Sequence, residues 1–143
     1  MRVALSRGMT RSLVTVLGVL ALAIGGCGGG TSYAATGRGG ALSADARIDV
    51  VPRGANRQVM VSVSHLVPPE RLDSELSTYN VWIVPPGGRP VPAGTLDYDR
   101  GSRSGRLVTI TPFDEFRVLV TAETGMPMGY PSQVVVISQD VAS

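Results

Sequence analysis

The one cysteine of this 143-residue chain, Cys27, offers the clearest chemistry in the sequence. It has no second cysteine with which to form a disulfide within the chain. Ile24, Gly25 and Gly26 precede it, and the two small residues would let the chain lie extended in a peptidase groove. The thiol can take a thioether-linked diacylglyceryl group. We therefore predict cleavage between Gly26 and Cys27 and lipidation of Cys27.

The residues before Cys27 have the pattern of a secretory signal. Arg2, Arg7 and Arg11 give a positive start, and an apolar run of 12 residues, LVTVLGVLALAI, follows at 13–24. That run is shorter than the roughly 20 apolar residues that span a bilayer. Residues 1–26 thus resemble a bacterial lipoprotein signal peptide with its lipobox, and two or three acyl chains would anchor the mature chain stably. A secretory signal cleaved elsewhere and an uncleaved membrane anchor are the alternatives.

Three side chains of the kind that hydrolases use, Ser62, Ser64 and His65, occur together without a hydrolase arrangement. Adjacent residues of a strand point to opposite faces, and the pattern lacks the strand-to-helix turn that exposes a catalytic serine. His65 is the one histidine, with no cysteine or second histidine beside it to hold zinc. We expect no catalytic residue, no metal and no cofactor, and interpret His65 as a residue near a strand end.

Acidic residues in two predicted turns could ligate calcium. Asp97 and Asp99 belong to the first turn, and Asp114 and Glu115 to the second. Carboxylate oxygens suit calcium, although solvated turn carboxylates are far commoner. A carboxylate pair could also hydrolyse a glycosidic bond, but nothing in the spacing of the eleven acids singles out a pair.

Residues 126–131, MPMGYP, form the stretch best suited to contact with a partner. Met126, Met128 and Tyr130 are large and apolar, and methionine adapts to irregular surfaces. The prolines and glycine predict a loop, where binding residues are often found. The alternative is a lid that packs over the end of the domain.

The charge distribution argues against nucleic-acid binding. The formal net charge is +2, but three arginines fall within residues 1–26, and removing them leaves a net charge of −1. A working chain of that charge has no basic surface of the kind that nucleic acids require.

Residues 28–40, GGGTSYAATGRGG, are glycine-rich and mostly small. Such a tract buries too little to offset its ordering entropy, which predicts a flexible tether with a reach of about 20 Å. Gly28 beside Cys27 is not the aspartate associated with inner-membrane retention, which favours the outer membrane where two membranes are present. The predicted organisation is a signal peptide at 1–26, a lipidated cysteine and tether at 27–41, and a folded domain at 42–143.

The folded domain reads as a series of short strands separated by turn residues. Residues 79–84, YNVWIV, fit a strand buried on both faces. Two prolines and two glycines then end it, and 89–96 reads as an edge strand because of its prolines. Seven strands in about 100 residues predict an all-β, immunoglobulin-like antiparallel sandwich, with Trp82 between the sheets rather than in a ligand cleft. The predicted strands cover residues 47–51, 57–65, 79–84, 89–96, 106–111, 116–123 and 133–139.

Several of these segments carry a resemblance to a known family. They are YNVWIV at 79–84, GRPVPAGTL at 88–96, FRVLVTAE at 116–123 and PSQVVV at 131–136. Residues 45–139 resemble the extracytoplasmic carboxy-terminal domain of the anti-sigma-K factor family. The resemblance implies an immunoglobulin-like sandwich outside the membrane, where family members add a helical domain inside that holds a sigma factor. This sequence departs from that plan in having no such helices and no transmembrane span, so direct sigma-factor inhibition is not expected.

The sequence thus predicts a lipid-anchored, non-catalytic binding or sensing module on the extracytoplasmic side of a bacterial membrane. Its partners would be the membrane itself and another envelope protein. An envelope hydrolase or glycan-binding protein is one alternative, and a purely structural envelope lipoprotein is the other.

Overall fold

The computed structural model describes residues 29–142, which form nine strands and two short 3-10 turns. The predicted cleavage and lipidation site at Gly26 and Cys27 lies outside these residues. Within them, no helix is long and apolar enough to cross a membrane. The strands are β1 (Thr31–Thr36), β2 (Asp45–Arg53), β3 (Asn56–Ser64), β4 (Thr78–Val84), β5 (Val91–Thr95), β6 (Asp97–Asp99), β7 (Ser104–Thr111), β8 (Phe116–Glu123) and β9 (Val135–Val141).

Two antiparallel sheets pack face to face. Sheet A has the strand order β1-β2-β3-β7-β6, and sheet B has the order β5-β4-β8-β9. The prediction of an all-β sandwich is confirmed. The sequence predicted seven of the nine strands: β1 had been assigned to the tether and β6 to a polar turn. After Pro68 the chain makes a single 3-10 turn over Pro69–Arg71.

The core between the sheets follows from alternation along the strands. Three alternate positions are buried in each of β2, β3 and β8: Ala46, Ile48 and Val50, then Val59, Val61 and Val63, then Val118, Val120 and Ala122. Burial of such side chains stabilises by roughly 1.5–3 kcal/mol each. The core residues of the described chain run from Ala41 to Val141, so residues 29–142 contain a complete sandwich.

Trp82 is completely buried, but the prediction that it lies between the sheets is wrong. Its neighbours Val81 and Ile83 belong to the core, so Trp82 points to the opposite, outer face of sheet B. Its indole nitrogen bonds to Thr121, which alternates with the core residues Val120 and Ala122 and therefore shares that outer face. Strand β4 is buried on both faces, as predicted, with Asn80 and Trp82 buried on the outer side.

The flexible tether predicted for residues 28–40 is also corrected. Thr31–Thr36 pair along their whole length with β2, from Thr31 opposite Val50 to Thr36 opposite Asp45. The amide of Arg38 then bonds to the carbonyl of Val136 at 2.9 Å, which ties the segment to sheet B. Backbone hydrogen bonds hold this segment despite its small side chains.

The sandwich has two ends, which we call the near end and the far end. At the near end β1 begins, the β2–β3 turn reverses the chain, and residues 112–115 connect β7 to β8. At the far end β1 stops and β8 gives way to the long connection that leads to β9. A strand of eight residues such as β8 separates the two ends by roughly 23 Å.

Candidate functional site

The connection between β8 and β9, residues 124–134, forms the far-end loop. Its three large apolar side chains project into solvent: Met126 is 79% exposed, Met128 82% and Tyr130 62%. Exposure on this scale means that these side chains do not pack over the end of the sandwich. The lid interpretation is therefore wrong for this conformation, and the loop presents an apolar tip.

The base of the far-end loop is fixed by partly buried side-chain hydrogen bonds. The Asn80 side-chain amide donates to the Gly125 carbonyl at 2.8 Å, and the Thr78 hydroxyl donates to the same carbonyl at 2.9 Å. Asn80 is completely buried, and its side-chain oxygen accepts from the Thr95 hydroxyl at 2.8 Å. Because a buried amide needs partners for both its ends, Asn80 holds the loop to strands β4 and β5 together.

A second set of hydrogen bonds converges on Glu123, at the other root of the loop. One carboxylate oxygen accepts from the Trp82 indole at 3.1 Å, from the Thr121 hydroxyl at 2.6 Å and from the Ser132 amide at 3.3 Å. The Ser132 hydroxyl donates in turn to the Ala122 carbonyl at 2.7 Å. The returning half of the loop is thus bound to the carboxylate of the residue that precedes the loop, and strands β4 and β8 hold the same carboxylate, so a rigid base carries the exposed tip.

A groove of about 570 Å³ lies on the outer face of sheet A, towards the far end. Outward-facing residues of β2, β3 and β7 line it, together with the core residues Ala46 and Val63. Guanidinium, carboxylate and hydroxyl groups all face it, so the groove suits a neutral polar or zwitterionic ligand better than a simple ion. The side chains that line it include Asp45, Arg47, Ser62, Ser64, Asp97 and Arg106.

The residues of hydrolase type fall at the rim of this groove without forming a catalytic set. Ser62 and Ser64 share the outer face, and His65 turns out of the strand with a φ of 54°. The His65 Nδ1 lies 3.2 Å from an Asp45 carboxylate oxygen. Both side chains are well exposed, and within residues 29–142 neither serine hydroxyl bonds to the imidazole. No activated nucleophile results from this arrangement.

The four acids proposed as calcium ligands or a glycosidase pair are dispersed. Asp97 and Asp99 lie on β6 at the edge of sheet A, whereas Asp114 and Glu115 lie in the near-end connection. Asp99 accepts the Ser102 amide at 2.8 Å, which lowers the pKa of its carboxyl and commits it to the turn. Asp114 is paired with an arginine at 2.6 Å. Among the described residues, no three carboxylate or imidazole groups come together in the manner of a metal site.

Two tyrosines below the groove are structural. Tyr79 and Tyr98 meet edge to face with ring centroids 5.5 Å apart. Their hydroxyls donate to the carbonyls of Val67 and Leu66 at 2.6 and 2.7 Å, which fixes the link between the two sheets. Burial raises the pKa of both phenols, so they stay protonated and act as donors.

Sequence reasoning identified the tip of the far-end loop but missed its support. Asn80, Thr121 and Glu123 received no role, although a single asparagine inside the apolar strand YNVWIV was a usable signal. A buried asparagine must find partners outside its own strand. The groove was missed because its arginines and serines come from separate strands. No family model, curated protein or solved structure matches this chain.

Proposed function

We propose that this chain is a lipid-anchored, non-catalytic binding or sensing module of the bacterial cell envelope, and that the far-end loop is its contact surface. The observation that carries the proposal is the exposure of Met126, Met128 and Tyr130 on a loop whose base is rigid. Adaptable methionines beside a tyrosine make good anchors for another protein, because they bury much area with little polar cost.

The position of the loop supports the same function. The far-end loop lies at the end of the sandwich opposite to the start of β1. The chain leads from β1 back to Cys27, the proposed lipidated residue, within four residues. A domain anchored through Cys27 would therefore carry its apolar tip away from the membrane, where a neighbouring envelope protein could meet it.

The resemblance to the extracytoplasmic domain of anti-sigma-K factors suggests the kind of partner. We propose an envelope protein, such as a membrane-bound regulator that carries a similar immunoglobulin-like sandwich. Trp82 gives no support to the immunoglobulin likeness, because it faces outwards from sheet B instead of filling the space between the sheets.

Photocrosslinking in intact cells tests the contact surface. A photoreactive amino acid at Met128 should capture a discrete protein, whereas the same group at Val91, an exposed near-end position, should not. Replacement of Met126, Met128 and Tyr130 by serine should abolish capture of that protein by a crosslinker at Thr124. A pattern at position 128 no different from that at position 91 would favour a structural lipoprotein instead.

Metabolic labelling with an alkyne fatty acid tests the anchor. The wild-type chain should take up label that Cys27→Ala does not. Equal labelling of the two, or no labelling of the wild type, would show that the anchor is wrong.

The groove of sheet A favours glycan binding as a second candidate. Its hydroxyl, carboxylate and guanidinium groups match the hydroxyl-rich surface of a cell-wall sugar. Titration with soluble cell-wall fragments, followed by the amide NMR signals of Ser62 and Arg106, should show saturable shifts that Arg106→Ala weakens. Absence of shifts at millimolar fragment would remove this candidate.

A further inference from the structure

The outer face of sheet A carries an exposed aliphatic surface at its near end, which we call the near-end patch. Val108 and Ile110 are 49% and 61% exposed and point the same way from β7. Val51 is 41% exposed, and Gln58 lies between it and Ile110 in the paired register of β2, β3 and β7. Met60, opposite Val108, completes the patch. Since these positions alternate with core residues, no part of the sandwich covers them.

The chain leaves the sandwich beside this patch. Gly30 directly precedes β1, and a Cβ built on it would lie 3.4 Å from a methyl carbon of Val51. Only Gly28 and Gly29 lie between Gly30 and Cys27. At no more than about 3.6 Å per residue, Cys27 lies within about 11 Å of Gly30. The headgroup layer of a bilayer is itself about 5–8 Å thick, so an anchor at Cys27 would hold the near-end patch at the lipid surface.

The charges around the patch agree with this placement. Arg53 and Arg106 flank it on the same face: the Arg53 guanidinium bonds to Gln58 at 2.8 Å, and that of Arg106 contacts the Met60 sulfur at 2.9 Å. Long arginine side chains can keep their charge among lipid phosphates while aliphatic neighbours enter the layer below. Asp49, on the same face, is paired with Arg47 at 2.9 Å.

Among the described residues, three carboxylates without an arginine partner lie at the other end of the face, and one of them, that of Asp45, is 3.2 Å from the His65 imidazole. Asp97 and Asp99 lie on β6, and Asp45 lies at the far end of β2. Arg47 and Arg106 lie among these carboxylates, so the far half of the face is charged and well hydrated, whereas the near half is mainly aliphatic. A lipid surface would accept the aliphatic half more readily, because burying charged groups costs free energy.

We propose that the near-end patch rests on the phospholipid surface in which Cys27 is anchored, which fixes the orientation of the sandwich on the membrane. The proposal rests on the proposed function, since Cys27 must be the anchor. Its occupant is the lipid itself. In this orientation the far-end loop points away from the bilayer, and the charged half of the outer face of sheet A stays in solvent.

Photocrosslinking to radiolabelled phospholipid tests the orientation in the full chain. Cells grown with [32P]phosphate would express the protein with p-benzoylphenylalanine in place of Ile110, Val51 or Met128. A thioether-linked diacylglyceryl group contains no phosphorus, so 32P on the protein reports a crosslinked neighbour and not the anchor. All three positions are exposed, so the substitutions should leave the fold intact. We expect 32P on the protein with the crosslinker at position 110 or 51, and no 32P with the crosslinker at position 128.

The outcomes separate this proposal from the proposed function. Alkyne label on Cys27 without 32P at position 110, or with equal 32P at 110 and 128, would overturn the orientation and leave the anchor standing. A protein partner captured at position 110 would also overturn it. Absence of alkyne label on the wild-type chain would overturn the anchor. Detection of 32P at positions 110 and 51 in Cys27→Ala would overturn the claim that the anchor is what holds the patch against the lipid.

Discussion

The side-chain amide of Asn80 donates to the carbonyl of Gly125 at 2.8 Å, which joins the middle of sheet B to the first turn of the far-end loop. The donor is completely buried, whereas Met126, the residue that follows the acceptor, is 79% exposed. One hydrogen bond therefore marks the boundary between the packed part of the protein and the surface proposed to meet a partner.

Asn80→Ala should destabilise the protein by about 1–3 kcal/mol, because it leaves buried polar groups without partners. It should also loosen the far-end loop. The matched control is Thr95→Val, which removes the hydroxyl that bonds to the Asn80 oxygen and retains the bond to Gly125. Amide exchange should become faster in residues 124–134 of Asn80→Ala and not of Thr95→Val. Equal exchange in the two variants would show that the bond to Gly125 does not hold the loop.

Trp82→Ala should cost about 3–5 kcal/mol, the range for truncation of a large buried aromatic residue. Trp82→Phe should cost less, because the ring still fills most of the space and only the indole donor to Thr121 and Glu123 is lost. Urea unfolding gives both values. A midpoint for Trp82→Ala equal to that of the wild type would contradict the burial of Trp82 on the outer face.

Gly37→Ala tests whether the glycine-rich segment belongs to the fold. A Cβ on Gly37 would lie 1.7 Å from the carbonyl oxygen of Ala41, so the backbone must move. Such overpacking typically costs 1–3 kcal/mol, and occasionally more, so we expect a loss of about 3 kcal/mol. Gly29→Ala is the control, because its Cβ would meet nothing within 4 Å. Thermal unfolding should give a lower midpoint for Gly37→Ala than for Gly29→Ala. Equal midpoints would favour the interpretation of this segment as a flexible tether.

Acid should destabilise the protein partly through Asp49. Hydrogen bonds from Ser32 and then Arg47 lower the pKa of this carboxyl below its ordinary value of 3.8. The unfolded chain thus binds the proton more readily, so the stabilisation is complete above 3.8 and is lost as the pH falls through the lower folded value. The free energy of unfolding of Asp49→Asn should lie below that of the wild type at neutral pH. The gap should narrow as the pH falls below about 5 and the carboxyl of Asp49 takes up its proton. A gap independent of pH would mean that the lost contacts of Asp49, and not its charge, are responsible.

Much of the sandwich could be predicted because its strands obey local rules. Residues 116–123 were predicted with the observed bounds, since alternating burial is written into their side chains. The edge position of β5 followed from its prolines, which cannot donate to a neighbouring strand. Such features depend on a few adjacent residues and can be predicted without knowing which strand pairs with the segment.

Features that depend on distant partners could not be predicted. Thr31–Thr36 have little to bury and become a strand because β2 offers them a free edge. Trp82 is a large apolar residue of the kind that fills cores. Its alternating neighbours Tyr79, Val81 and Ile83 face the other sheet, however, so Trp82 must face outwards. The same holds for the near-end patch, because Val51 and Ile110 are 59 positions apart and meet only through the register of β2, β3 and β7.

If Cys27 is the anchor proposed above, the irregular edge of sheet B bears on how densely copies of the protein could occupy a membrane. Copies confined to a bilayer meet one another at high local concentration, and an open sheet edge would then seed polymerisation by strand addition. In β5, Pro92 supplies no amide donor, and the pairing with β4 shifts its register between Val81 and Trp82. A second molecule would therefore meet an edge whose backbone hydrogen-bonding groups are not evenly spaced. We expect crowded copies to stay separate along this edge and to remain available to other proteins.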